Sequence, residues 1–188
     1  MRAILLSAWI VFAVCVIGCT PSNPPAKKGG DSGVPKKNNE NELGDEAQVK
    51  QAFSRLKAAI AAKSGDAIWD LVDKDTQTDA DREAKAVKAT YAKRDDKGKK
   101  AYEEQMKLDA KELADMTGKL YLQSQRFYGK HHEIPDSRVE KVTVTGDAAA
   151  LVFVEPDDDK VTLRLTRDPG EGQLRPWKVS LQVPKAPE

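Results

Sequence analysis

Histidine and cysteine are scarce in this chain of 188 residues, with two of each. Both cysteines, Cys15 and Cys19, fall in the first twenty residues, which leaves the rest without a thiol for a disulfide, a thiolate metal site or a cysteine nucleophile. Stability must then come from a packed core. The histidines are adjacent, His131 and His132, so no serine, histidine and aspartate arrangement can be read, and the HExxH spacing is absent. Phosphate-binding glycine loops are missing as well, because Gly29-Gly30 and Gly170-Glu171-Gly172 lack both the GxGxxG pattern and a P-loop lysine. No cofactor and no metal are expected. An excess of either charge is also missing: Lys plus Arg total 31 and Asp plus Glu 30, and removing the first 18 residues takes only Arg2 from these totals. Bulk charge gives no reason to expect nucleic acid as a partner.

What is present begins with an address. Arg2 precedes Ala3 to Ile17, an uncharged apolar stretch with the length of a signal-peptide h-region and too short for a spanning helix of about 20 residues. It ends in Val16-Ile17-Gly18-Cys19, which resembles the lipobox of bacterial lipoproteins, although Ile17 is bulkier than the residue common there. The resemblance implies cleavage before Cys19, lipid on its thiol and a membrane-bound protein of the cell envelope. Several acyl chains, each CH₂ adding about 0.8 kcal/mol, would anchor it stably. Thr20 in place of Asp favours the outer membrane if the enterobacterial sorting rule applies.

Three segments follow from this: a signal peptide at 1–18, the lipidated Cys19 and a tether at 19–44, and a single domain at 45–188. The tether is rich in Pro, Gly, Lys, Asn and Ser and has almost no large apolar residue, so it cannot order itself. At roughly 5–6 Å × √n, its span is on the order of 25–30 Å. Its Lys27, Lys28, Lys36 and Lys37 could touch anionic lipid headgroups.

In the domain, Val49, Phe53, Leu56 and Ile60 recur at spacings of four, three and four and predict a helix over 45–63. Ser64-Gly65-Asp66 ends it and caps a short second helix. A third is expected from Thr78, with Asp79 and Asp81 in its first turn. A fourth stretch is expected from Lys99, with a stripe of Tyr102, Met106, Ala110, Leu113 and Leu120, a Glu103 to Lys107 pair, a break at Gly118 and an end at Gly129. After Pro135 the period changes to alternation. Val142 and Val144, then Ala150 to Val154, then Val161, Leu163 and Leu165, then Trp177, Val179, Leu181 and Val183 predict four strands joined by short turns. Helices first and strands last make an α+β domain, with the helices on one face of a curved antiparallel sheet.

This order is similar to the nuclear-transport-factor-two-like superfamily, a cone-shaped α+β fold shared with ketosteroid isomerases and polyketide cyclases. The residues that carry the likeness are Ala61-Ala62-Lys63-Ser64-Gly65-Asp66 with Trp69 and Leu71, Val144-Thr145-Gly146-Asp147-Ala148-Ala149-Ala150, and Trp177-Lys178-Val179. The wholly helical 76–128 departs from members that place an early hairpin there. Within such a cone, Trp69, Tyr91, Tyr121, Tyr128 and Trp177 are candidate pocket residues, against the plainer reading of aromatics in a core.

Three further clusters hold titratable side chains. His131 and His132 beside Glu133 are acid–base candidates, with Asp70 as a cavity carboxylate, against a solvated loop. Asp73, Asp75, Gln77, Asp79 and Asp81 alternate as in a calcium loop, but Thr78 and Ala84 stand where that loop needs Gly and Glu. Asp157-Asp158-Asp159 could collect a cation, against the plainer reading of a hairpin tip kept soluble and away from edge pairing. The expectation is a non-catalytic envelope lipoprotein that binds a protein partner or a small apolar ligand. The alternatives are an isomerase- or cyclase-like enzyme and a passive structural lipoprotein.

Overall fold

The computed structural model describes residues 44–169 and 175–187. The signal peptide, Cys19, nearly all of the tether and the Gly170-Glu171-Gly172 connection lie outside the described residues. Asn39–Glu188 is one compact unit. Seven α-helices precede four strands: α1 Asp45–Ala61, α2 Gly65–Leu71, α3 Lys74–Ala92, α4 Asp96–Met106, α5 Ala110–Ala114, α6 Gly118–Leu122, α7 Gln125–His131, then β1 Arg138–Thr145, β2 Ala148–Val154, β3 Lys160–Arg167 and β4 Trp177–Ser180. The strands form one antiparallel sheet in the order β1-β2-β3-β4. The α+β class and the helix-then-strand order are as expected.

Helix α1 carries the predicted face: Val49, Phe53, Leu56 and Ile60 are all buried, and the Phe53 ring meets Phe153 of β2 at 5.2 Å between centroids. Cross-strand pairing puts Ala149, Leu151, Phe153, Leu163, Leu165 and Val179 on one side of the sheet, where all six are buried. The other side carries Lys141, Thr143, Thr145, Thr162, Arg164 and Thr166, all exposed. The helices therefore cover one face only.

The helical half departs from the expected boundaries. Helix α3 starts at Lys74, because the Asp73 carboxylate accepts from the Thr76 N–H and caps it; Asp79 and Asp81 lie beyond its first turn. The stripe from Tyr102 to Leu120 is not one helix. Lys107 takes a left-handed conformation after α4, and Asp109 and Glu112 form a capping box that starts α5. Glu103 accepts a hydrogen bond from the Tyr91 hydroxyl at 2.6 Å, in place of the expected pairing with Lys107. Gly118 begins α6 instead of breaking a helix, and Gly129 lies inside α7.

Two glycines set how closely α2, α3 and α6 approach. A Cβ on Gly65 would lie 2.2 Å from the Lys119 carbonyl oxygen, and one on Gly118 would lie 2.4 Å from Asp81 Oδ1 and 2.6 Å from the Trp69 ring. The Gly118 N–H donates to Asp81 Oδ1 across this contact.

The last strand also ends early. Leu181 and Val183 keep the alternation and are buried, but β4 stops at Ser180. Residues 181–187 form a strap among the helices, and side chains serve its backbone. Thr76 Oγ1 donates to the Leu181 carbonyl and accepts its N–H, Tyr121 donates to Pro184 O, Arg126 to Lys185 O and Tyr102 to Pro187 O, while the Ala186 N–H donates to Glu83. Pro184 and Pro187 cannot donate to a ladder, which keeps the alternating segment from rejoining one after it leaves the sheet at Leu181.

Candidate functional site

Where β4 turns away, half of β3 loses its neighbour. The β3–β4 ladder runs from Arg167↔Trp177 to Arg164↔Ser180, leaving Lys160 to Leu163 unpaired on that side. The direction of the free groups follows from the hydrogen bonds at the far end. The Arg167 N–H donates to Asp147 O beside β2, whereas the Asp168 N–H donates to Pro176 O on the β4 side. Main-chain groups alternate along a strand, so Thr162 directs its N–H and C=O toward the place β4 has vacated.

A groove of about 620 Å³ lies there, lined by Gly129 to Ile134 at the end of α7, by Phe153 and Glu155, by Val161 to Arg164, and by Ser180 to Gln182. Its size is within the range of small-ligand and peptide sites. Phe153, Leu163, Ile134 and Leu181 are its buried apolar members; Lys130, His132, Thr162, Arg164 and Gln182 are exposed. By contrast β1, the other sheet edge, has a bulge between Val139 and Lys141 and a run of charged side chains, both of which deter strand pairing.

The structure brings both histidines to this groove and gives them different environments. His131 is the last residue of α7 and is buried, not in a solvated loop. Its ring lies 4.6 Å from that of Phe127, and Nε2 is 2.9 Å from the Gln182 carbonyl oxygen. A carbonyl only accepts, so Nε2 carries the proton. Burial holds the His131 pKa below its ordinary 6.5, against the opposing pull of this hydrogen bond. His132 is exposed, with Nδ1 donating to Gly129 O at 3.1 Å and Nε2 3.6 Å from Glu133.

His131 therefore stays neutral where an unfolded histidine would charge, and stability is expected to fall as pH drops through about 6.5 toward the lower native value. Unfolding free energies measured from pH 7 to 5 check this: His131→Gln should flatten the slope. An unchanged slope in the variant would assign the effect to other groups.

The carboxylates beside the histidines are not the one expected. Asp70 is exposed on α2, its carbonyl accepts from Lys178, and it is not among the groove residues. Glu155, which the sequence reading passed over, lies in the groove with its pKa raised by burial and by the charges of Glu133 and Asp157. Glu133, Glu155 and Asp157 can bring carboxylate oxygens within 4.8 Å of one another, so they could share a hard cation. The signal for Glu155 in the sequence was its position just past the apolar run of β2, which alone does not separate it from a turn residue.

The five aromatic pocket candidates are not gathered around a common cavity. The buried Tyr121 hydroxyl is spent on the strap. Tyr91 is held by Glu103, which pushes its pKa up to about 12. Tyr128 lies under Lys63 Nζ at 4.2 Å, and Trp177 under the Arg167 guanidinium at 4.7 Å. Trp69 fills the space left by Gly118. Three of the acids that alternate from Asp73 to Asp81 are engaged separately: Asp73 caps α3, Asp79 pairs with Arg82, and Asp81 accepts from Gly118. Asp157, Asp158 and Asp159 are exposed at the β2–β3 turn. Among the described residues no helix is long and apolar enough to cross a membrane. No protein-family model, curated protein or solved structure matches this chain.

Proposed function

We propose that this chain is a lipid-anchored protein of the cell envelope whose domain is non-catalytic and holds an extended segment of a partner protein along the free edge of β3. We also read the fold as a variant of the nuclear-transport-factor-two-like cone. The observation that carries the binding role is the vacated half of β3, where Thr162 offers an unpaired donor and acceptor inside a groove of about 620 Å³. Strand addition at such an edge draws affinity from main-chain hydrogen bonds and specificity from alternate side-chain pockets. The buried floor of Phe153, Leu163 and Leu181 provides apolar contact, and the exposed rim provides polar contact. A rim this polar suits a peptide better than a small apolar ligand. The non-catalytic reading is supported by His131, whose proton is committed to the Gln182 carbonyl. The fold reading is supported by Gly65-Asp66 opening α2 shortly after α1 ends, and by Trp177-Lys178 opening the last strand.

The test has two arms. A displayed library of random linear peptides is panned against the domain, and selected peptides are expected to shift the amide resonances of Thr162 and Gln182. Thr162→Pro should weaken them at least tenfold, since proline removes the edge donor and is tolerated on an edge. Selected peptides that leave these amides unmoved would refute the groove. In the second arm, a palmitate analogue fed to a host making the full chain should label the wild type and not Cys19→Ser, and the variant should leave the membrane fraction. Equal labelling would refute the anchor.

A further inference from the structure

The uncovered face of the sheet has a charge pattern that the whole chain does not. Its pairs run Lys141↔Val152↔Thr162, Thr143↔Ala150↔Arg164↔Ser180 and Ala148↔Thr166↔Lys178. Near one end two cations are compensated, Arg138 by Asp158 at 3.4 Å and Lys160 by Glu140 at 2.6 Å. Across the middle, Lys141 and Arg164 are exposed, and neither is among the ion pairs. Lys178 stands beside them, with its Nζ on the Asp70 carbonyl and 3.9 Å from Asp168. Between these cations lie hydroxyls and small apolar groups, Thr143, Thr162, Thr166, Ala150 and Val152, and no carboxylate. A chain with nearly balanced charge thus presents one broad, shallow surface that is cationic and rich in hydroxyl groups.

Asp45, the first residue of α1, is bound by Arg167, which lies 3.8 Å from Asp147 in the β1–β2 turn. Arg167 lies on the helix-covered side of β3 with Leu163 and Leu165 and stacks on the buried Trp177, so α1 starts on that side, and the segment leading back to Cys19 precedes it in sequence. That segment carries Lys27, Lys28, Lys36 and Lys37, so it is poorly suited to cover the face itself. A second copy would set Lys141 and Arg164 against their own kind, which like charges oppose.

We infer that this face docks on an anionic phospholipid surface, with Lys141 and Arg164 toward the headgroup phosphates. The inference rests on the anchored reading for the nearness of a membrane but not for its chemistry. Each cation near an anionic leaflet adds a modest attraction that decays within a Debye length. An acyl anchor would raise the effective concentration of the face at the bilayer and make so weak a contact sufficient.

Co-sedimentation of residues 20–188, which lack Cys19 and any lipid on it, with phosphatidylglycerol-containing and pure phosphatidylcholine vesicles tests it. Binding should appear only on the anionic vesicles and fade with salt. Lys141→Glu, which lies outside the β3 groove, should weaken it severalfold, and Lys141→Glu with Arg164→Glu about tenfold or more. Lys85→Glu with Lys88→Glu, an equal change of charge on exposed positions of α3, should have less than a twofold effect. Equal loss from the α3 pair would reduce the attraction to bulk charge and overturn the inference. So would binding that survives reversal of the sheet face, or capture of soluble polyphosphate without capture of vesicles. Because no acyl group takes part, failure here leaves the Cys19 anchor standing, and failure of Cys19 labelling leaves this measurement intact.

Discussion

Gly65→Ala is expected to destabilise the domain by about 3 kcal/mol or more, at the upper end of what overpacking costs. The added methyl would stand 2.2 Å from the Lys119 carbonyl oxygen and 3.1 Å from its carbon. These are main-chain atoms of α6 that cannot swing aside as a flexible side chain would. Relief requires α2 and α6 to separate, which opens the contact around Ile68 and Leu122, each about 1% exposed. The comparison is Gly129→Ala. Gly129 sits inside α7 with nothing within 4 Å of its would-be Cβ, so alanine should stabilise by about 0.5–1 kcal/mol through helix propensity. Urea unfolding of the two variants should therefore move the midpoint in opposite directions. A Gly65→Ala midpoint within error of wild type would mean that the α2–α6 contact is looser than these distances imply.

Ending the chain after Val183 is expected to unfold the helical half or lower stability by roughly 3 kcal/mol or more, since each buried polar group left without a partner costs about 1–3 kcal/mol. The deletion strands the hydroxyls of Tyr102 and Tyr121, both about 1% exposed or less, and takes the Ala186 N–H from Glu83, which is 7% exposed. Tyr121→Phe removes one of these bonds and should cost about 1 kcal/mol. Near-ultraviolet circular dichroism and thermal melts of the shortened chain report the effect. A truncated protein with a native melt would make the strap a passenger.

Elements governed by a single periodicity could be read from the sequence. The spacing of Val49, Phe53, Leu56 and Ile60 located α1 almost to its ends, and the alternation around Val152 and Leu163 located the central strands. Where a local polar group competed with a periodic stripe, the reading failed. Tyr102, Met106 and Leu113 share a buried stripe, yet the Asp109 and Glu112 capping box and left-handed Lys107 cut the chain between them. The strap failed for a different reason. Leu181 and Val183 alternate like strand residues, and only the positions of Thr76, Tyr121 and Glu83 in space reveal that helices supply its hydrogen bonds.

The candidate site was half legible on the same grounds. His131-His132-Glu133 stood out by chemistry, but the burial of one histidine depends on Phe127 one helical turn earlier and on Gln182 fifty-one residues later. The open edge of β3 could not be foreseen, because it exists only where β4 ends sooner than its hydrophobic pattern does.

That early ending has a consequence for the order of assembly. Residues 181–187 follow the described helices and strands in synthesis, yet the hydroxyls of Thr76, Tyr102 and Tyr121 bond to them, and Glu83, which also pairs with Arg82, accepts from them too. The helices can emerge and nucleate first, but their interior stays unsealed until this segment arrives and threads between them. The hydrogen bonds that join these helices to irregular backbone can therefore form only once the last residues of the domain have been made.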